Sequence, residues 1–197
     1  ELENFPFEKV DYVFTTVHIS SYVPVPILEI GSFLQDNDID RVKKLFARES
    51  KDFLQKYFKK ELFFTDVEGK TKDEVLKNLC RKVEQEKGLP ETFTASVLKR
   101  EELTPTDYGN LVALPHPERA FQERAFVAVA VLKEPVFWFR QKVQVVFLTA
   151  IGREEDENLQ QFYEATTDLI LRPADVQNLI RHPDYDRLIQ LLRRAEE

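Results

Sequence analysis

Two nearly continuous apolar runs, FVAVAVL at residues 126–132 and VQVVFLTAI at 143–151, constrain this chain more than any other feature. Neither alternates strictly between polar and apolar, so neither suits a sheet with one wet face. Each reads as a strand covered on both sides, the situation of a sheet held between helices. Helical patterns surround them. Thr71 with Glu74 forms a capping box ahead of Val75, Leu76, Leu79, Cys80 and Val83, and Gly88 is suited to ending that helix. A second helix follows Pro90 with Phe93 and Val97 on its apolar side, and the loop TPTDYGN (104–110) leads into a short strand, LVALP. Leu159, Phe162, Tyr163, Thr166 and Leu169 mark an amphipathic helix, and two shorter helices follow Pro173 and Pro183. The expectation is an α/β domain over 60–197: a mixed β-sheet flanked by helices on both faces.

The first residues differ in pattern. VDYVFTTV at 10–17 and VPVPILEI at 23–30 read as apolar strands around the polar HISSY turn. Two strands cannot form a core alone, so residues 1–37 read as a strand-strand-helix remnant that needs partners. After Gly31 the period becomes helical: Asp36 is a candidate cap, and Ile39, Val42, Phe46, Phe53 and Tyr57 recur at helical spacing. The reading is a connecting helix over 38–59, ending in KYFKK with its cations at the favourable end of the helix dipole. The chain contains no methionine and is expected to be a piece of a longer polypeptide.

Composition narrows the function. The 35 acidic residues outnumber the 28 basic ones, giving a formal charge of -7. A nucleic-acid surface needs the opposite balance, so the basic clusters RVKK (41–44) and LLRR (191–194) read as solvated helix faces, and no direct nucleic-acid contact is expected. The N-terminus lacks a signal-peptide pattern, and the longest apolar run falls short of the roughly 18 residues a membrane span needs; a cytoplasmic location is expected. A single cysteine, Cys80, excludes an internal disulfide and any C-x-x-C metal or redox pair. It lies on the apolar face of its helix and reads as core. No cofactor or metal is expected. REEDE at 153–157 reads as acids starting a helix rather than a metal site.

Gly69-Lys70-Thr71 resembles the end of a P-loop, but Phe64 stands where the first glycine belongs. No G-x-S-x-G elbow supports a serine hydrolase. Of three histidines, His18 lies in a turn after a strand and His182 precedes Pro183 between helices; both read as structural or solvated. His116 is different, being held between Pro115 and Pro117 directly after a strand. Proline on both sides stiffens the backbone, and the C-terminal end of a strand is where α/β sheets place function. An imidazole is largely neutral at pH 7 and therefore nucleophilic. It can accept a phosphoryl group reversibly, leaving the protein to supply positioning and positive charge. Arg100, Arg119 and Arg124 are the candidate cations.

The run VLKREELTPTDYGNLVALPHP (97–117), with TKDEVLKNLC before it and LKEPVFWFRQKVQVVFLTAI after it, resembles the enzyme IIA domain of the sugar phosphotransferase system, mannitol/fructose class. The landmarks are an Arg-Glu pair, a Pro-Thr turn, Gly-Asn and Ala-x-Pro-His, in that order, and the resemblance covers about residues 55–197. It implies that His116 is the phosphohistidine, loaded by the histidine-containing phosphocarrier protein, and that Arg100 is the active-site arginine. It also implies a second histidine early in the helix after the last long strand, where this chain has Asn158. Asn can hydrogen-bond a phosphoryl oxygen but cannot carry a proton. VDYVFTTVHISSYVPVPILEI resembles the closing strands of a galactitol-like IIB domain, whose phosphocysteine would lie upstream of residue 1. A IIB-like domain followed by a IIA-like one is the tail of Bgl-type transcription regulators and antiterminators. The resemblance thus implies a regulatory input domain, the alternative being a phosphocarrier that passes phosphate to a IIB domain during sugar uptake.

Overall fold

The computed structural model describes residues 5–7, 10, 12–19, 22–31, 38–39, 42, 54–122, 124–152 and 159–193. The chain divides into two compact units, Glu1–Glu49 and Ser50–Glu197. In the first, β1 (Val13–Thr15) and β2 (Ile27–Glu29) pair in parallel. Leu28 is buried there, whereas Phe14 and Ile27 are exposed, so these strands are more open than their apolar sequence suggests. Asp36, the expected helix cap, lies outside the described residues.

The second unit carries a five-stranded mixed sheet of order β3-β6-β7-β5-β4. Its strands are β3 (Phe58–Phe64), β4 (Asp107–Gly109), β5 (Val112–Ala113), β6 (Phe126–Phe137) and β7 (Lys142–Ala150). Helices α1 (Lys72–Lys87) and α2 (Thr92–Leu103) cover one face. Helices α3 (Leu159–Ile170), α4 (Pro173–Arg181) and α5 (Tyr185–Arg193) cover the other. Side chains along a strand point to alternate faces, and here both sets are buried. Val127, Val129 and Val131 of β6 join Val145 and Phe147 of β7 in the core under α3–α5. Ala128, Ala130 and Leu132 join Val146 and Leu148 in the core under α1 and α2. This is the expected architecture of helices on both faces of a mixed sheet.

The expected connecting helix ends too late. Helical residues 54–57 give way to β3 at Phe58. Phe58 is buried, pairs with Val127 and meets Phe147 edge-on at 6.4 Å. That packing outweighs helical periodicity, and the exposed Lys59 and Lys60 then lie on an edge strand, where lysines discourage further pairing. β6 also runs past the apolar stretch to Phe137, with a register shift between Val131 and Val136 that accommodates Pro135.

Local signals at α1 behave as expected. The Glu74 amide donates to Thr71 Oγ1 at 3.3 Å, and Glu74 Oε2 reaches back to the Lys70 amide at 2.8 Å. Gly88 closes the helix in the left-handed region at φ 63°. A Cβ on Gly69 would lie 2.6 Å from the Val75 amide nitrogen, so this glycine lets the loop turn tightly into the helix. Surface ion pairs such as Lys82–Asp66 at 2.8 Å contribute under about 1 kcal/mol each. Truncating one buried Phe costs about 3–5 kcal/mol, so the two cores dominate stability.

Among the described residues no helix is long and apolar enough to cross a membrane, and no group of three or more His, Cys, Asp or Glu could hold a metal ion. Cys80 is fully buried in the α1–α2 core. Burial, reinforced by the Glu84 charge, pushes its thiol up to about 12. Iodoacetamide at pH 8 should therefore leave the folded protein unlabelled and modify Cys80 stoichiometrically in denaturant; rapid labelling of the native protein would contradict this core.

Candidate functional site

β4 and β5 form a tight hairpin at one edge of the sheet. Its connecting residues Asn110 and Leu111 have φ of 49° and 66°, the double left-handed conformation of a two-residue hairpin turn. Asn110 Nδ2 donates to the Ile170 carbonyl at 2.8 Å, and the Leu111 carbonyl accepts from the Gln144 and Val145 amides. These bonds hold a conformation that leucine rarely adopts. β5 runs parallel to β7, and the ladder continues as the Thr149 amide donates to the Pro115 carbonyl at 3.0 Å. His116 therefore leaves the sheet at the C-terminal end of β5, the same end at which β7 finishes at Ala150.

Helix α2 and the turn that follows it grip this segment on both sides of the histidine. Upstream, the Leu114 amide donates to the Thr106 carbonyl at 3.1 Å. Downstream, the Glu118 amide donates to Ser96 Oγ at 2.9 Å, and Lys99 Nζ lies 3.0 Å from the Glu118 carboxylate. Pro115 and Pro117 are buried while His116 between them is half-buried. The ring is thus mounted rigidly and still reachable. Its Nδ1 lies 3.3 Å from the Leu114 carbonyl oxygen. A carbonyl can only accept, so Nδ1 carries the proton and Nε2 keeps its lone pair.

Arg100 lies one helical turn after Ser96, on the same side of α2. Its Nη1 donates to the Thr104 carbonyl at 3.3 Å. Of the site residues expected from sequence, the structure describes His116 just past β5 and Arg100 in the last turn of α2, the helix whose Ser96 holds the Glu118 amide. Asn158, the third, lies outside the described residues, as does the acidic run 153–157. Arg119 sits over the Phe121 ring at 5.2 Å, and Arg124 is exposed in the loop before β6.

His18 Nδ1 lies 3.5 Å from Glu29 in the first unit, and the His182 amide caps α4 by donating to the Asn178 carbonyl at 3.0 Å.

One element was not anticipated from sequence. Glu101, next to Arg100, is 1% exposed. Its Oε1 accepts from the Thr106 amide at 2.8 Å and from Trp138 Nε1 at 2.7 Å, and its Oε2 accepts from the Thr106 hydroxyl at 2.8 Å. An acid in the last turn of a helix opposes the helix dipole, and that misfit was the available sequence signal. The Arg-Glu and Pro-Thr landmarks are thus two ends of one hydrogen-bonded unit.

Residues 56–195 match the family model described as "Phosphoenolpyruvate-dependent sugar phosphotransferase system, EIIA 2". The chain is 33% identical over 187 residues to the "Probable licABCH operon regulator" of Bacillus subtilis (strain 168), covering 95% of this chain and 29% of that protein. It is 24% identical over 182 residues to "Transcriptional regulator ManR" of the same organism, covering 88% and 28% respectively. The chain therefore spans less than a third of either regulator. Among solved structures, the crystal structure of IIA mannitol from Escherichia coli aligns with a TM-score of 0.52 at 18% identity, covering 66% of this chain and 96% of that one. The IIA component in a complex with phosphorylated enzyme IIB, also from Escherichia coli, aligns with a TM-score of 0.55 at 18% identity, covering 66% and 94%. These two likenesses concern the fold. With the family match over most of its length and the same mixed sheet between helices, the chain belongs to the EIIA type 2 family of the phosphoenolpyruvate-dependent sugar phosphotransferase system.

Proposed function

We propose that His116 is a phosphoryl acceptor loaded by the histidine-containing phosphocarrier protein, and that its phosphorylation is the regulatory input of a transcription regulator or antiterminator of sugar utilisation. The observation that carries this reading is the Nδ1 contact with the Leu114 carbonyl, which leaves Nε2 nucleophilic at a half-buried, proline-braced position. In the transfer, the Nε2 lone pair attacks phosphorus and a new P–N bond forms. The carrier's P–N bond breaks, its electron pair returning to the carrier's ring. The proton stays on Nδ1, donated in a hydrogen bond to the Leu114 carbonyl, which steadies the positive charge that develops on the His116 ring. Arg100 turns from the Thr104 carbonyl to pair with the phosphoryl oxygens, a task suited to a planar guanidinium.

Such a modification adds about -1.5 to -2 charges, enough to bias a domain interface by about 1–3 kcal/mol. The reading as a regulator is supported by the likeness to two regulators over most of this chain. Asn158 also favours signalling over rapid relay, because an amide cannot shuttle a proton. Residues 1–37 are read as the end of a IIB-like domain, joined by the stretch before β3 to the IIA domain, whose sheet starts at Phe58. A IIB-like domain, in the same polypeptide or another, is the second proposed partner. Nucleic-acid contact is assigned to other domains of the whole regulator, which would act in the cytoplasm where the phosphoenolpyruvate relay operates.

Incubation with phosphoenolpyruvate, enzyme I and the phosphocarrier should label the wild-type chain and leave His116→Ala unlabelled; label persisting on that variant would overturn the assignment. Arg100→Ala should slow labelling by about a hundredfold, the effect of losing one preorganised charge donor, measured by rapid-quench uptake. Asn158→His should accelerate onward transfer to a IIB acceptor in stopped-flow mixing, whereas an already fast wild type would favour the phosphocarrier alternative.

A further inference from the structure

We propose that Glu101 is the positioning residue of this site, holding Arg100 and His116 in register through Thr106; this rests on the reading of His116 as the acceptor. A carboxylate at 1% exposure in the last turn of α2 is an expensive choice for stability alone. Burial strips its hydration and the helix C-terminus repels it. A buried ionic group is often replaceable by an apolar one with no loss of stability, so the reason for this carboxylate lies in what it fixes.

It fixes one short turn very firmly. Both oxygens of Glu101 are used on Thr106, one on the amide and one on the hydroxyl, each at 2.8 Å. The Thr106 carbonyl then accepts from the Leu114 amide, and the Leu114 carbonyl sits against His116 Nδ1. Two residues before Thr106, the Thr104 carbonyl accepts from Arg100. The orientation of the imidazole and the resting position of the guanidinium are therefore both referred to the same turn. Trp138 closes the arrangement from the opposite side, its indole N–H 2.7 Å from Oε1. That indole belongs to the hairpin joining β6 and β7. The same hairpin is tied to β4 where Asp107 Oδ2 accepts from the Arg140 and Gln141 amides at 2.7 and 2.9 Å. The carboxylate thus joins the end of α2, the β4 edge and the β6–β7 hairpin at one point.

The chemistry of the side chain separates positioning from bulk. Glu101→Gln keeps an oxygen for the Thr106 amide and the indole, and its amide N–H can donate to a Thr106 hydroxyl that has rotated. Glu101→Leu fills similar space and offers no acceptor. The experiment measures phosphoryl uptake from the phosphorylated carrier by rapid quench over a range of carrier concentrations, with the His116 tautomer followed by nitrogen NMR. Fluorescence of Trp138, the single tryptophan, and circular dichroism report the fold. Glu101→Gln is expected to react within about twofold of wild type. Glu101→Leu is expected to lose about ten- to a hundredfold in the transfer rate, as a misplacement of about 1 Å does, with the KM for the carrier unchanged and the Nδ1–H preference lost. A folded Glu101→Leu chain reacting at the wild-type rate would overturn the proposal, and so would a Gln variant as slow as Leu. If Glu101→Leu does not fold, Thr106→Val, which removes only the hydroxyl bond, makes the same comparison: a severalfold slower transfer at unchanged KM supports the proposal, and an unchanged rate overturns it. A wild-type chain that takes up no label would instead refute the reading of His116 itself.

Discussion

Along 126–132 and 145–150 the central strands β6 and β7 have no solvent face, and the organisation of the second unit follows from that. Val127, Val129 and Val131 face one helical layer while Ala128, Ala130 and Leu132 face the other. Each layer must bring enough apolar area to cover its side, which accounts for two helices above and three below. The small Ala128 and Ala130 let α1 pack closely, and the larger valines and Phe147 fill the space beneath α3–α5. With the middle of the sheet sealed, chemistry is confined to its ends and edges, where backbone leaves the ladder.

At one such end the chain solves a backbone problem and builds a reactive group together. Prolines at 115 and 117 remove two amide donors, so few hydrogen bonds remain to hold the segment. Those present come from three directions: Thr106 through the Leu114 amide, Thr149 to the Pro115 carbonyl, and Ser96 to the Glu118 amide. With its backbone braced, the histidine can spend its Nδ1 proton on the Leu114 carbonyl and present Nε2 outward. That arrangement supports the proposed acceptor role, for which a fixed nucleophile matters more than an acid-base relay.

Much of this was legible in the sequence, and the failures are informative. The strand runs at 126–132 and 143–151, the capping box at Thr71 and the glycine stop at Gly88 were readable because each is a local signal. The end of the connecting helix was misread because Phe58 satisfies a helical period and a strand pairing equally well, and Val127 and Phe147 decide between them. The extension of β6 past Leu132 was missed because Lys133, Glu134 and Pro135 resemble a loop, and only the pairing of Val136 and Phe137 with Val143 and Lys142 beyond a register shift carries the strand through them. His116 stood out because its neighbours in sequence, two prolines, are unusual. Glu101 did not, because its partners Thr106 and Trp138 lie 5 and 37 residues away.

By itself the sequence determined the layer type and the family and singled out His116 as the candidate nucleophile, since apolar periodicity, turn residues and short motifs are properties of adjacent positions. The tertiary structure alone decided that His116 Nδ1 meets the Leu114 carbonyl, that Arg100 rests on the Thr104 carbonyl, and that the buried Glu101 carboxylate holds Thr106 in the same turn. Those facts depend on hydrogen bonds between neighbouring turns, closed by Trp138 from 37 residues away. Their directions are set only when the sheet register and the packing of α2 are in place.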